Sequence, residues 1–173
     1  MGDRANNHPV RLRPADPGDC ERVWQLNNEP GARAASRSVA PIPLTDHVRW
    51  YQARLGDPTT ALHMIEAGDA GPPIGVVRVE RRGPAAEMSM SVDPRMRGRG
   101  VGSTAARAAA DAAAERWPEI PLEAWVADGN QASMRCFVAA GFVLVGRRVI
   151  DGRYFRCYRY RNGQHNRSGG ESQ

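Results

Sequence analysis

Lysine is absent: all 24 basic residues of the 173-residue chain are arginine. Without it there is no side-chain amine to form a Schiff base with pyridoxal phosphate, no P-loop lysine and no lysine nucleophile. Cysteine is scarce. Cys20, Cys136 and Cys157 are an odd number at wide spacing, which argues against a disulfide framework or a clustered zinc site and predicts reduced thiols. No apolar run approaches the roughly 18 to 20 residues that cross a bilayer. Met1 to Pro9 is polar and lacks the apolar stretch of a secretory signal. The expectation is a soluble cytoplasmic protein with no membrane partner and no metal. A basic block with interleaved aromatics is missing too, because the arginines are spread along the chain, so nucleic acid is not the expected partner. The net charge of +5 favours an anionic small ligand instead, since the guanidinium fork matches phosphate geometry.

With 41% hydrophobic residues the chain can bury one substantial core and is short for two. Residues 1–9 and 161–173 are polar and aperiodic, which predicts flexible ends around a single domain over residues 10–160. Val10 to Arg13 reads as a strand, and Pro17-Gly18-Asp19 precedes a helix carrying Val23, Trp24 and Leu26. Asn27 to Leu44, with three prolines and many small residues, reads as a loop, and Thr45 as the N-cap of a helix through about Leu55. Leu62 to Ala67, Ile74 to Glu80 and Ala85 to Val92 read as three strands of an antiparallel meander. An alanine-rich helix is expected from Ser103 to about Arg116, then a strand from Leu122 to Val126 and a helix from Asn130 to near Gly141. Asp151-Gly152 joins the strand-like runs Phe142 to Ile150 and Tyr154 to Tyr160, a strong hairpin signal. The succession is α/β with a mixed sheet.

The segment from Met88 to Ser103 is a strand, a glycine-bearing loop and the start of a helix. Such a loop can approach a ligand closely, and the helix start offers unpaired N–H groups and the positive end of its dipole, an anion site. A P-loop would need Gly-Lys-Ser/Thr, and a dinucleotide fingerprint needs Gly-x-Gly-x-x-Gly directly after its strand. Here Asp93 to Arg97 intervene and the last glycine is followed by Ser103-Thr104.

Arg97-Gly98-Arg99-Gly100-Val101-Gly102 is similar to the Arg/Gln-x-x-Gly-x-Gly/Ala motif of the GNAT superfamily of N-acetyltransferases, and Val92-Asp93-Pro94 to the exit from that family's fourth strand. Asn130 to Phe142 resembles its C-terminal Asn-x-x-Ala/Ser helix ending in Gly-Phe. The resemblance covers about Val10 to Tyr160. It implies a mixed, mostly antiparallel sheet splayed between its fourth and fifth strands and flanked by about four helices, with acetyl-CoA wedged into the splay as acetyl donor. By the same resemblance Met90 and Val92 contact pantetheine, and Arg97, Arg99, Gly100, Val101, Gly102 and Ser103 the pyrophosphate. Asn130 either faces the cofactor arm or simply caps its helix. Phe137 joins the cofactor side and the core. Many family members carry at that position, four residues before the terminal glycine, a tyrosine that protonates the leaving thiolate. Phenylalanine cannot do so. The acid is then Tyr154, Tyr158, Cys136 or water, or the thiolate leaves without a dedicated donor; Tyr154 is carried forward as candidate acid.

An amine attacking a thioester must be neutral, so a base is expected near the cleft. Strand alternation puts Glu87, Ser89 and Ser91 on one face and Met88, Met90 and Val92 on the other. Glu87 is the first candidate base, because a polar face on a central strand is unexpected unless it borders a solvated cleft; otherwise it is a carboxylate exposed near a strand end. His47 and His63 are rivals through their near-neutral titration, and Glu66 and Glu80 complete the set.

In the helix after Thr45, Val48, Tyr51 and Leu55 share a core-facing side, with His47, Trp50 and Arg54 on the adjacent face. His47 and Trp50 are candidate acceptor-binding residues, Trp50 either stacking on a sugar or base or packing at the rim. The run Asn27-Asn28-Glu29, Arg33, Arg37 and His47-x-x-Trp50-Tyr51 resembles GNAT enzymes that acetylate nucleotide-linked amino sugars, including those of pseudaminic acid biosynthesis. Similar patterns occur in acetyltransferases of ribosomal-protein N-termini. Arg33, Arg37 and Arg49 either bind an acceptor diphosphate or are solvated surface. The reading is direct acetyl transfer in a ternary complex to a small-molecule amine, with a homodimer left open. A covalent route through Cys136 is disfavoured, because no nearby residue marks it as activated. The alternatives are a protein N-terminal acetyltransferase and a non-catalytic acetyl-CoA-binding module.

Overall fold

The computed structural model describes residues 9–68 and 71–161. The ends expected to be flexible, residues 1–9 and 161–173, lie outside the described residues except for Pro9 and Arg161. In chain order the elements are β1 (Val10–Pro14), α1 (Cys20–Asn28), α2 (Pro30–Ala35), α3 (Leu44–Leu55), β2 (Thr60–Ala67), β3 (Gly75–Arg82), β4 (Ala85–Val92), α4 (Val101–Arg116), β5 (Leu122–Ala127), α5 (Gln131–Ala139), β6 (Phe142–Ile150) and β7 (Arg153–Tyr160). The strands form one seven-stranded sheet in the order β1-β2-β3-β4-β5-β7-β6. Only β4 and β5 pair in parallel; every other neighbouring pair is antiparallel. Among the described residues no helix is long and apolar enough to cross a membrane.

The helices cover both faces. Ala105, Ala106, Ala109, Ala110 and Ala113 line the buried side of α4, and their small side chains let the helix settle against Val77, Val79, Met88 and Ala124. On the opposite face Val23 and Leu26 of α1 and Tyr51 of α3 pack on Leu62, Met64 and Val76. Strand alternation explains the division: odd-numbered residues of β3 face α4, while Val76 faces α1 and α3.

The central relationship is where β4 and β5 part. Their register runs Ala86↔Leu122, Glu87↔Glu123 and Met88↔Ala124 and stops there. Beyond that rung β4 stays paired to β3 as far as Val92, and β5 stays paired to β7 as far as Ala127. The sheet therefore splits into two diverging halves, as the family resemblance implies. Ala86 N–H donates to Pro121 O at 2.9 Å, so the peptide groups of the even-numbered β4 residues point toward β5. The Met90 N–H and C=O consequently face the gap.

Three local expectations change. Asn27 to Leu44 is not all loop: Asn27 and Asn28 finish α1, and α2 occupies Pro30–Ala35. Glu29 caps α2, accepting from Gly31 N at 3.0 Å and Ala32 N at 2.9 Å, with Pro30 in the first helical position. Thr45 is not an N-cap; α3 starts at Leu44 after Pro43 with no side-chain cap, and Thr45 sits exposed inside it. The alanine-rich helix begins at Val101, two residues before Ser103, because Gly100 turns the chain into it at φ 78.

Candidate active site

A cavity of about 560 Å³ opens at the split. Glu87, Ser89 and Ser91 of β4 form part of its wall on the side of α1 to α3, while Asn130, Ser133 and Phe137 reach it from α5 on the other face. The cavity thus passes through the sheet where the ladder is missing. The polar alternation of β4 borders this space, as expected from the sequence.

The loop after β4 is held from both ends. Asp93 is buried and accepts from Arg22 Nη2 at 2.9 Å, from Arg95 N and Nε at 3.0 Å each, and from Arg95 Nη2 at 2.9 Å. The Arg95 and Arg22 guanidinia hold its carboxyl far below the usual range, outweighing the upward pull of burial. Arg97 donates from Nε to Val92 O at 3.0 Å and from Nη2 to Glu29 Oε2 at 2.5 Å. Burial pushes Glu29 up, but Arg97 with the Gly31 and Ala32 N–H groups wins and keeps it low. Arg97 is therefore engaged with the cap of α2, whereas Arg99 is exposed and makes no ion pair among the described residues.

Helix α4 then starts with no side-chain cap. Thr104 N–H already bonds Gly100 O at 3.1 Å, leaving the N–H groups of Val101, Gly102 and Ser103 as the helix's orphan donors. Ser103 Oγ is turned inward to Gly100 O at 3.0 Å. Gly102 faces Cys136 of α5 and Met90 of β4 at close quarters. The first turn of α4 is thus pressed against the gap in the sheet, with N–H donors and a positive dipole end suited to a pyrophosphate.

On α5, Asn130 Oδ1 accepts from Ser133 N at 3.1 Å, a helix cap, while Asn130 also lines the cavity. Phe137 packs edge-on to Phe142 with centroids 5.1 Å apart and lines the cavity. The structure does not bring Tyr154 to this space. Tyr154 lies on the face of β7 shared with Val126 and Tyr158, is 52% exposed, and has the Arg147 guanidinium 4.1 Å from its ring centroid. Tyr158 is buried in the α4 core. Cys136 is pushed up to about 11 by burial, so it is a neutral thiol at neutral pH.

On the acceptor side Glu87 lines the cavity and accepts from Arg37 Nη2 at 2.7 Å. The α1 to α3 wall is secured by backbone contacts: Trp24 Nε1 donates to Ile42 O at 2.8 Å, and Arg153 of the β6–β7 hairpin donates to Ser36 O at 2.6 Å and Ala34 O at 2.8 Å. Trp50 lines the cavity, half-buried, with the Arg78 guanidinium 5.3 Å from its ring centroid.

His47 is buried and also lines the cavity. It is 1% exposed, its Nε2–H donates to Cys20 O at 2.9 Å, and its ring stacks on Tyr51 at 5.8 Å. Burial lowers its pKa, with the Cys20 carbonyl opposing. The core stripe of α3 is therefore His47 and Tyr51; Val48 is only half-buried. The rivals of Glu87 lie elsewhere: His63 belongs to a second hollow beside Arg116, Glu66 pairs with Arg11 and Arg13, and Glu80 is buried among arginines. Arg33 and Arg37 line the cavity, while Arg49 is solvated on α3, near Asp46 at 3.8 Å. Arg78 and Trp125 also line the cavity, and neither is among the residues expected there from the sequence. Arg78 lies between Val77 and Val79, and Trp125 between Ala124 and Val126, and only the strand register turns each toward the cavity.

The acetyltransferase (GNAT) domain model matches residues 10–143. The chain belongs to the GNAT acetyltransferase family. As a GNAT enzyme it is an acetyl-CoA-dependent N-acetyltransferase, with acetyl-CoA as the acetyl donor. Among curated protein sequences no relative matches. Solved structures share the fold. The aminoglycoside acetyltransferase AAC(6')-Ib in complex with ribostamycin and coenzyme A is 16% identical with TM-score 0.75, covering 94% of this chain and 99% of its own. Spermidine N-acetyltransferase from Vibrio cholerae, in complex with CoA and spermine, is 22% identical with TM-score 0.73, over 87% of this chain and 92% of its own. The Salmonella typhimurium protein yncA, with its cofactor acetyl-CoA, is 21% identical with TM-score 0.74, over 91% and 96%.

Proposed function

We propose that this GNAT enzyme acetylates the primary amine of a nucleotide-linked amino sugar by direct attack within a ternary complex. The observation that carries the mechanism is the end of the β4–β5 ladder at Met88↔Ala124, beside the uncapped start of α4. Acetyl-CoA fits this arrangement with its pyrophosphate on the Val101, Gly102 and Ser103 N–H groups and the adjacent Arg99. Its pantetheine then lies along Met90 and Val92 and passes Asn130 and Phe137.

In this arrangement the Met90 N–H is free to polarise the thioester carbonyl as negative charge develops on its oxygen. Glu87, steadied by Arg37, takes the proton of the incoming ammonium from the acceptor side. The neutral amine attacks the carbonyl carbon, a C–N bond forms, the C–S bond breaks, and CoA leaves as thiolate. With phenylalanine at position 137 and Tyr154 outside the cavity, water in the open cleft is the proton source for that thiolate. Trp50 supplies a ring on which a base or sugar can stack, and Arg33 and Arg37 flank it. Solved neighbours acting on small amines, an aminoglycoside and a polyamine among them, support a small-molecule acceptor. The unpaired cysteines fit a reducing cytoplasm.

The test is amine-dependent release of CoA thiol from acetyl-CoA across nucleotide-linked amino sugars, aminoglycosides, polyamines and peptides. Turnover on the nucleotide-linked amino sugars is expected. Activity confined to peptides would overturn the acceptor, and tight acetyl-CoA binding without turnover on any amine would overturn the catalytic reading.

A further inference from the structure

Arg78 occupies the middle of β3 with buried valines on either side, Val77 and Val79, facing the other way. It pairs with Ser89 across the β3–β4 ladder, so its side chain leaves the sheet on the face that carries Ser89 and Glu87. Two residues along a strand separate Arg78's partner from Glu87, about 7 Å.

The positive charge of Arg78 has no carboxylate of its own. Among the described residues its one ion-pair partner is Glu80 at 3.8 Å, and Glu80 already pairs with Arg54 at 3.2 Å and Arg82 at 2.8 Å. Glu87, the other nearby acid, is taken by Arg37 at 2.7 Å. The Arg78 Nε is buried without a hydrogen-bond partner. The Arg78 guanidinium lies over the Trp50 ring, 5.3 Å from its centroid, a cation–π contact, and both residues line the cavity.

Arg33 repeats the pattern elsewhere in the cavity lining. It donates to the carbonyls of Asn27 and Ser38, makes no ion pair among the described residues, and its Nε is buried with no hydrogen-bond partner among them. The carboxylates among the lining residues are Glu87, already paired, and Asp46, which is 60% exposed at the rim beside Arg49. A half-buried guanidinium with unused donors is costly unless an oxyanion completes it. A polycationic amine would meet like charge in the same space.

Resting on the acetyltransferase reading above, we propose that Arg78, together with Arg33 of the same cavity lining, is an oxyanion subsite, and that the true acceptor carries a carboxylate or phosphate close to its amine. Arg78 sets specificity by binding this group while Glu87 receives the amine.

The test compares kcat/KM of the full chain for matched amines: glucosamine against glucosamine 6-phosphate, a neutral amino alcohol against the corresponding amino acid, and spermidine as polycation. Charge-assisted hydrogen bonds predict a preference of about 10- to 100-fold for the oxyanion-bearing member of a pair. The phosphate and carboxylate arms separate the two sources of the oxyanion. Arg78→Gln is expected to raise KM for the charged amines far more than for their neutral counterparts, and Arg78→Lys to restore part of the preference. Acetyl-CoA affinity of each variant reports that it is folded. Preference for neutral or polycationic amines, or a preference that survives Arg78→Gln, would overturn the subsite and leave acetyl transfer intact. No thiol release with any amine would overturn both.

Discussion

Gly102 and Cys136 lie so close that a Cβ on the glycine would sit 2.9 Å from the cysteine Sγ, and 3.3 Å from Met90 Cε. The Met90 methyl can swing away through small torsion changes, whereas Sγ leaves only by a full change of χ1 rotamer within the packed contact between α4 and α5. Gly102→Ala is therefore expected to push the first turn of α4 away from α5 and β4, costing about 1–3 kcal/mol of stability and lowering acetyl-CoA affinity. The double variant Gly102→Ala/Cys136→Ala removes the obstructing sulfur and should recover most of the lost stability. Chemical denaturation of both proteins checks this; equal destabilisation would mean that the contact does not set the approach.

On the proposed mechanism Glu87→Gln keeps the shape of the side chain and removes its basicity. The expected outcome is a fall in kcat of about 100-fold with acetyl-CoA affinity nearly unchanged. Loss of the acidic limb from the pH–rate profile distinguishes a base from a side chain that only orients Arg37.

Much of the donor side was legible in sequence because it is local. The alternation of β4, the turn at Gly100 and the helix behind it lie within one run of residues, and each obeys short-range rules. The acceptor side was less so. Glu29 is a helix cap and the partner of Arg97, and neither role is visible in a residue type that seldom caps helices, with its partner 68 positions away. The periodicity of α3 admitted neighbouring stripes; contact with α1 and the Cys20 carbonyl selects the one containing His47. Tyr154 is decided by hairpin parity, which places it with Val126 on the α4 and α5 face. Arg78 was hidden in a run of valines until its pairing with Ser89 gave it a direction.

His47 and His63 both carry pKa values lowered by burial, His63 also by Arg116. The unfolded chain protonates each near its ordinary value of 6.5, the folded chain only at lower pH. Between those values the unfolded state binds more protons, so this stability is complete above about 6.5 and is lost as pH falls. Denaturation midpoints should drop from pH 7.5 to pH 5.5, where the carboxylates remain ionised. A His47→Gln/His63→Gln variant should show a flatter dependence; an unchanged slope would assign the effect to other groups.

Burial raises Cys136 to about 11 and Cys157 to about 12. At pH 8 roughly one Cys136 thiol in a thousand is ionised, too few for ready attack on a thioester. The native enzyme should react slowly with thiol reagents at both positions, and Cys136→Ala should keep amine-dependent turnover. An acetyl group trapped on Cys136 and detected by mass spectrometry would contradict direct transfer.

The separation of β4 from β5 after Met88 and Ala124 is the feature on which the account depends, and a crystal structure of the complex with CoA tests it most directly. The account predicts the pantetheine arm in the gap beside Met90 and the phosphates on the N–H groups of Val101 to Ser103. CoA bound elsewhere on the chain, with the gap left empty, would contradict it.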